Sequence, residues 1–304
     1  MNSSSGSQII VIGSINTDML VQAESLPHPG ETVLGNEFRI SGGGKGANQA
    51  VAAARLGGNV MMAACVGDDM FGKQALDNLQ AESIDCQHIL TSSAHSSGVA
   101  LISVDQNGEN QIVVSPGANN QVSAEQVSAI LNCADENSLV LLQLEIPLAI
   151  VSHAIRVANE KGARVILDPA PAQVLSDEIY AGVYLLTPNQ TEAQQLTGIT
   201  VIDEQSAEAA LRHLLQAGAH NVALTLGPKG VLLGAGETME LIPGVPVEAV
   251  DTTAAGDCFN GALASALSRG LSLPDAAGFA CKAASFAVTQ FGAQDAMPSI
   301  TDLN

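Results

Sequence analysis

The sequence predicts an α/β fold: a mostly parallel central sheet flanked by helices, with a small antiparallel β lid. Three observations predict it. Short, nearly unbroken apolar runs recur along the chain, segments of helical spacing alternate with them, and two stretches of strand-like alternation fall outside that rhythm. Parallel strands read as unbroken apolar runs because both of their faces are covered. The 304 residues, 46% hydrophobic and 14% charged, supply enough apolar side chains for such a core. No repeat of fixed period and no low-complexity linker divides the chain, so one domain over residues 1–304 is expected.

The first apolar run, 8–12, follows a Ser-rich start and ends at Gly13. Similar runs at 59–66, 139–144, 164–167, 182–186 and 221–226 supply the other expected strands. Between them, apolar residues three and four apart predict helices over 46–56, 71–81, 124–131, 147–160, 192–196 and 207–217. The segment 20–40 breaks the rhythm with Pro27, Pro29 and Gly30, and then places Leu34, Phe38 and Ile40 on one face of a strand. The segment 98–115 reads as a hairpin turning at Asn107-Gly108, a strong two-residue turn signal. These pieces, about 19–41 and 98–115, are the expected lid strands.

Charge and cysteine usage exclude whole classes of function. With 31 acidic and 11 basic residues the formal net charge is −20. Such a surface repels phosphate backbones, and with aromatics at 3% and no Trp, nucleic acid is not an expected partner. A phosphate ligand would have to be held by backbone N–H groups, helix N-termini and bound cations. The greasiest stretch, 139–151, is interrupted by Gln143, Glu145 and Pro147, which argues against a membrane span. No Lys or Arg precedes Arg39, so a basic signal-peptide start is missing and a cytoplasmic location is expected. Cys65, Cys86, Cys133, Cys258 and Cys281 are odd in number and widely spaced, as suits reduced thiols. The six His residues show no zinc-ligand spacing.

Two motifs carry chemistry. In Ser41-Gly42-Gly43-Gly44-Lys45-Gly46-Ala47-Asn48-Gln49-Ala50, consecutive glycines let the backbone approach a ligand just before a helix. A Gly-rich turn before a helix is also a common structural device, but Lys45 and Asn48 add polar groups to a loop otherwise stripped of side chains. A dinucleotide fingerprint fails on placement, because the first parallel strand lies well upstream, and a Walker A loop fails because Gly46 follows Lys45. The second motif, Asp251-Thr252-Thr253-Ala254-Ala255-Gly256-Asp257, precedes a helical run with Phe259, Leu263 and Leu267 spaced by four. Small residues at that helix N-terminus leave its first N–H groups open to an anion. An Asp in a first turn is ordinary in itself, yet a carboxylate beside an anion hole can take a hydroxyl proton while the amides hold a phosphoryl group.

Together these segments resemble the signatures of the ribokinase-like (phosphofructokinase-B) carbohydrate kinase family. The resemblance runs over nearly the whole chain. It takes in Gly13-Ser14-Ile15-Asn16-Thr17-Asp18, Gln143-Leu144-Glu145, Asp168-Pro169-Ala170-Pro171, Thr187-Pro188-Asn189-Gln190-Thr191-Glu192, Thr225-Leu226-Gly227 and Gly292-Ala293-Gln294. It implies transfer of the ATP γ-phosphoryl group to O5 of D-ribose, with Asp257 as the general base and backbone N–H groups of Ala254, Ala255 and Gly256 as the anion hole. Asn16, Asp18, Gly43, Gly44, Lys45, Asn48, Glu145 and Asp257 match sugar-binding positions. Taken alone, Asp18 could equally cap a turn. Asn189 and Glu192 match a motif that organises Mg2+ and phosphates, and the same spacing is a helix capping box. Thr225, Gly227, Gly230, Gly256 and Cys281 match nucleotide positions.

The resemblance also implies a K+ activator held by Asp251, Thr253, Ala287, Gln290 and Gly292, and a homodimer through the lid. A related kinase of 2-deoxyribose, fructose or adenosine, or a sugar-sensing homologue without catalysis, are the alternatives. Three positions depart from the family pattern: Pro228 in the nucleotide loop, Ala296 where a serine near the cation is common, and Asp168 where asparagine is commoner.

Overall fold

The computed structural model describes residues 7–303. In chain order, β1 (Gln8–Ile12) starts the main sheet, and β2 (Asn16–Ala23) and β3 (Gly35–Gly43) leave it for a second one. Helix α1 (Lys45–Arg55) leads back to β4 (Asn59–Gly67), followed by α2 (Met70–Ala81) and β5 (Asp85–Ser92). A second excursion makes β6 (Gly98–Val104) and β7 (Asn110–Ser115). Then come α3 (Ala124–Leu131), β8 (Leu139–Leu142), α4 (Leu148–Glu160), β9 (Arg164–Leu167), α5 (Asp177–Ala181) and β10 (Leu185–Leu186). The last part carries α6 (Gln190–Thr197), α7 (Glu204–Gln216), β11 (Asn221–Thr225), β12 (Gly230–Ala235), β13 (Thr238–Pro243), α8 (Ala255–Ser268) and α9 (Leu273–Ala287).

The main sheet runs β13-β12-β11-β10-β9-β8-β1-β4-β5. It is parallel from β5 to β11, and the pairs β11–β12 and β12–β13 at its edge are antiparallel. Strand β1 shows why the fold needs unbroken apolar runs. Successive side chains point to opposite faces, so Ile9 and Val11 join the core under α1, α8 and α9, while Ile10 and Ile12 join the core under α3, α4 and α7. The chain spreads both ways from β1, to β4 on one side and to β8 on the other. Open parallel sheets bind ligands at such a reversal, beyond the carboxyl ends of the strands. Among the described residues, no helix is long and apolar enough to cross a membrane.

The second sheet has the order β3-β2-β6-β7. Its outer pairs are antiparallel and its central pair, β2–β6, is parallel. It begins at Asn16, earlier than the lid strand expected from residue 19, because polar Asn16 and Asp18 do not read as strand in sequence. Register puts Ile40, Met19, Leu101 and Val113 in one row. Ile40, Leu101 and Val113 are exposed, so that face is an apolar surface.

Sequence reading does not anticipate β5, the β12–β13 hairpin or α9. Strand β5 is a sheet edge with mixed polar residues and one buried apolar side chain, Ile89. Helix α9 is rich in alanine, which weakens the apolar period, although Ser272 at its N-cap and Pro274 in its first turn mark its start.

Candidate active site

The site lies beyond the carboxyl ends of β1, β8, β9 and β10, where Gln143, Asp168 and Thr187 follow directly and Ser14 follows Gly13. Two glycine-rich helix starts converge there, and they differ in one physical respect. The mouth of α1 is closed: Glu145 Oε2 accepts from the Lys45 N–H at 3.0 Å and from Ser14 Oγ at 2.5 Å, and Ser14 Oγ accepts from the Gly46 N–H at 3.3 Å. The mouth of α8 has no side-chain cap, so its leading N–H groups face outward. Ala254 holds a left-handed conformation there, with φ 57° and ψ 17°, a strained choice for a residue with a Cβ. The Ala255 N–H reaches back to the Thr252 carbonyl at 3.3 Å, a long bond that a phosphoryl oxygen can replace. A Cβ placed on Gly256 would meet nothing within 4 Å, so the mouth opens into space.

Asp257 stands in the first turn of α8 and is 4% exposed. Its Oδ2 accepts from Asn48 Nδ2 at 2.9 Å and its Oδ1 from Gln49 Nε2 at 3.2 Å, both from α1. Gln294 Nε2 donates to Asn48 Oδ1 at 3.2 Å, which turns the Asn48 amide nitrogen toward Asp257. On the other side of α1, β2 and β3 carry the expected sugar residues. Asn16 Oδ1 accepts from Asn119 Nδ2 at 2.7 Å. Asp18 lies so close over Gly43 that a Cβ there would sit 2.2 Å from the carboxylate oxygens, and Gly44 turns the chain into α1 with φ 86°. Only glycine fits both demands. Burial pushes the Asp18 carboxyl up to about 6, with the charges of Glu145 and Asp257 adding to the effect.

A cavity of about 230 Å³ opens beside the α8 mouth. Lys45, Asn189, Glu192, Thr225, Ala254, Ala255, Gly256 and Asp257 line it, as do Asp168, Thr187, Thr252 and Asn260, to which the sequence reading assigns no role. Lys45 Nζ lies 4.0 Å from Asp168 Oδ2. Burial acts to lower the Lys45 ammonium, but Asp257, Asp168, Glu145 and Glu192 outweigh it and hold the pKa above the ordinary lysine value. Burial drives the Asp168 carboxyl up to about 8; Lys45 opposes this, and the neighbouring Asp257, Glu192 and Glu145 reinforce it. Burial also raises Glu192, against the hydrogen bond from the Asn189 N–H. Glu192 and Asn189 form the reciprocal capping box of α6, with Glu192 Oε2 accepting from the Asn189 N–H at 2.8 Å. The capping role and a place in the cavity wall therefore coexist.

The Asp168 shift predicts a stability effect. The unfolded chain releases this proton near 3.8 and the folded chain near 8. Between those values the folded state holds the extra proton, so stability declines as pH climbs through the window. Asp168→Asn cannot ionise and removes this decline. The Tm of the variant relative to the parent is expected to rise from pH 5 to pH 9, and thermal unfolding at both values measures it; a pH-independent gap contradicts the assignment.

The expected cation residues gather in a loop beside the mouth. Asp251 Oδ1 accepts from the Thr253 N–H and Oδ2 from the Gly292 N–H, each at 2.9 Å. The Val250 and Asp251 N–H groups both reach the Val288 carbonyl at the end of α9. A helix C-terminus and a carboxylate make this a negative environment that fits a monovalent cation. Ala296, buried nearby, offers no side-chain oxygen. For Mg2+ the fit is to oxygen-rich walls: Asp168, Glu192, Asn189 and Asn260 line the cavity, and Asn260 Oδ1 is buried without a partner. That set suits an ion that keeps its own waters. Among the described residues, no three His, Cys, Asp or Glu side chains are grouped to hold a metal directly.

Not every expected residue reaches the cavity. Gly227 and Gly230 flank a short 3-10 turn after β11, and Cys281 is buried on α9, where burial pushes its thiol up to about 11. None of the three lines the cavity. Asp168, Gln49 and Gln143 stand inside the motifs that carry the resemblance. The signal that could have singled them out is their position after strand ends or in the first turns of α1, at the reversal of strand order.

An open helix mouth facing a buried carboxylate, with the polar edge of β2 and β3 on one side and an oxygen-lined cavity on the other, is an arrangement suited to phosphoryl transfer to a small molecule. The profile of the pfkB family carbohydrate kinases matches residues 7–300. The chain belongs to that family of carbohydrate kinases. A ribokinase of Haemophilus influenzae is 43% identical over 291 residues, covering 96% of this chain and 95% of that one. A deoxyribokinase of Salmonella typhi is 38% identical over 297 residues, covering 97% of each. The structure of Arabidopsis thaliana ribokinase complexed with ribose and ATP superposes with a TM-score of 0.89 at 30% identity, covering 98% of this chain and 97% of that one.

Proposed function

We propose that this chain is an ATP-dependent ribokinase that transfers the γ-phosphoryl group of ATP to O5 of D-ribose, giving D-ribose 5-phosphate. The observation that carries the reading is Asp257, buried beside the uncapped mouth of α8 and hydrogen-bonded by Asn48, in a chain so similar to ribokinases over nearly its full length. Asn16, Asp18, Lys45, Asn48 and Glu145, with the backbone of Gly43 and Gly44, hold the sugar. Asp18, when ionised, accepts from two neighbouring hydroxyls. Asp257 takes the proton from the O5 hydroxyl as that oxygen attacks phosphorus. The N–H groups of Ala254, Ala255 and Gly256 receive the charge on the transferred group, and the Lys45 ammonium balances it from the cavity wall. In-line phosphoryl transfer demands positioning and charge stabilisation more than covalent chemistry, and this main-chain arrangement supplies both in a protein with few basic residues.

Asn189 and Glu192 help organise the nucleotide phosphates beside Gly256; Thr225, Gly227 and Gly230 form the nucleotide loop, and Cys281 lies toward the base. Bound Mg2+ would neutralise phosphate charge, with Glu192 and Asn189 orienting its waters. Asp251, Thr253, Ala287, Gln290 and Gly292 would hold K+, whose charge would order the loop behind the anion hole without touching substrate. Replacing K+ by Na+ is expected to lower kcat in a coupled ADP-release assay, and equal rates in both salts reject the cation assignment.

The second sheet is the lid that excludes water from the reacting group. Its exposed row of Ile40, Leu101 and Val113 supports a homodimer formed through the lid. The whole chain is one catalytic domain working in the cytoplasm, where free thiols persist.

The deoxyribokinase relative makes 2-deoxyribose the rival substrate. A site built to hydrogen-bond the 2-hydroxyl leaves polar groups unpaired when that hydroxyl is missing, which costs about 10⁴-fold in well-formed sites. kcat/KM for ribose is expected to exceed that for 2-deoxyribose by at least about 10²-fold. A ratio near one or below assigns the chain to the deoxy sugar, and no ribose-dependent ADP release from the folded protein identifies a non-catalytic homologue.

A further inference from the structure

Beneath the site runs a buried chain of side-chain amides that the reaction described above does not use. Gln143 Nε2 donates to Gln49 Oε1 at 2.7 Å, and Gln49 Nε2 donates to both Asp168 Oδ2 at 2.8 Å and Asp257 Oδ1 at 3.2 Å. Gln49 is 1% exposed and Gln143 is fully buried. The orientation is one-directional and carries a cost. With both amide nitrogens pointed toward the carboxylates, Gln143 Oε1 is left buried without a partner, in a space that only Gly13 permits, since a Cβ there would lie 2.0 Å from that oxygen. A buried unpaired carbonyl is unfavourable. Turning both amides over would instead aim Gln49 Oε1 at two carboxylates. The chain accepts the orphan acceptor to keep a donor on Asp257.

We propose that Gln49 is a positioning residue for the general base: its amide nitrogen, held by Gln143, fixes the Asp257 carboxylate and ties it to Asp168. The inference rests on Asp257 being the base. Asn48 holds Oδ2 from one side and Gln49 holds Oδ1 from the other, so the carboxylate plane is set by two donors on successive residues of α1. A hydrogen bond to a charged group holds its partner more firmly than one between neutral groups. Losing it leaves the Asp257 carboxylate held by Asn48 alone, so its plane is no longer fixed for proton transfer. The other charged groups facing Asp257 are Lys45 on α1, Asp168 after β9, Glu192 on α6 and Asp18 on β2, and the variants below leave all of them in place.

The test compares Gln49→Leu, Gln143→Leu and Asp257→Asn with the parent, each checked for ribose binding by calorimetry and for folding by thermal unfolding. In Gln49→Leu, kcat at pH 7 is expected to fall about tenfold or more, as for a lost hydrogen bond to a charged group. KM for ribose is expected to change less than about threefold, so the loss falls on kcat alone. In Gln143→Leu, which frees Gln49 from its anchor but leaves it in place, a smaller fall in kcat with KM unchanged is expected. A folded Gln49→Leu enzyme with parental kcat overturns the proposal. If Gln49→Leu does not fold, Gln143→Leu decides, and parental kcat there overturns it equally. Near-parental turnover in Asp257→Asn overturns the identity of the base instead, so the two failures are told apart.

Discussion

Asp257→Asn is expected to lower kcat by at least about 10²-fold, the lower end of what a positioned general base contributes, while ribose affinity stays within a few-fold of the parent. The substitution keeps the shape of the side chain but takes away its basicity. It also turns one acceptor oxygen into a donor, in a setting where Asn48 Nδ2 and Gln49 Nε2 both point inward, so some disorder of the α1 amides accompanies the loss. Ribose binding is shared among groups on β2, β3, α1 and the β8 loop, and of these the change touches only Asn48. Steady-state ADP release gives kcat, and calorimetry on the same preparation gives ribose affinity. Turnover within tenfold of the parent would remove Asp257 from its role, and a collapse of ribose binding would recast it as a sugar-binding residue.

Gly256→Ala is expected to produce a comparable fall in kcat, about 10²-fold, with no loss of stability. Removing one donor of an oxyanion hole costs about 10²- to 10³-fold, and a methyl group in the mouth of α8 obstructs the approach to all of them. The protein has room for it, since no protein atom lies within 4 Å of the added Cβ, and alanine is the better helix former. The variant thus separates chemistry from folding: Tm unchanged or slightly raised, turnover lost. Parental kcat in that variant would place the transferred group away from the α8 mouth, whereas a fall in Tm would mean that the open space is needed by the fold itself.

Much of the fold was legible because the physics behind it is local. The β1, β8 and β9 runs are apolar at nearly every position, since a strand between two helix layers has no polar face. The α1 and α8 starts were legible because polar Lys45, Asn48 and Asp257 stand among glycines and small residues just before or within the first turns of apolar helices. Strand β2 was obscured by its own function. Asn16 and Asp18 are placed on it for their polar groups, so the local pattern reads as a loop where the backbone pairs as a strand. The site was partly legible for a similar reason. Asp257 and Lys45 announce themselves in small-residue surroundings, but the contacts from Gln49 to Asp168 and Asp257 join residues more than a hundred positions apart. Nothing local marks a long-range hydrogen bond. That the α1 mouth is closed by Glu145 while the α8 mouth stays open likewise depends on where β8 delivers its loop.

The left-handed turn at Ala254 has a bearing on how freely this region can vary. Its donors belong to the main chain, so exchanges among small residues at 254 and 255 would leave the electrostatics of the mouth intact. Glycine at 254 would even relax the turn, whereas proline at 255 would erase an N–H outright. Drift at these two letters is therefore a poor guide to whether a cousin of this chain still turns over, and the geometry of one peptide turn is the better one.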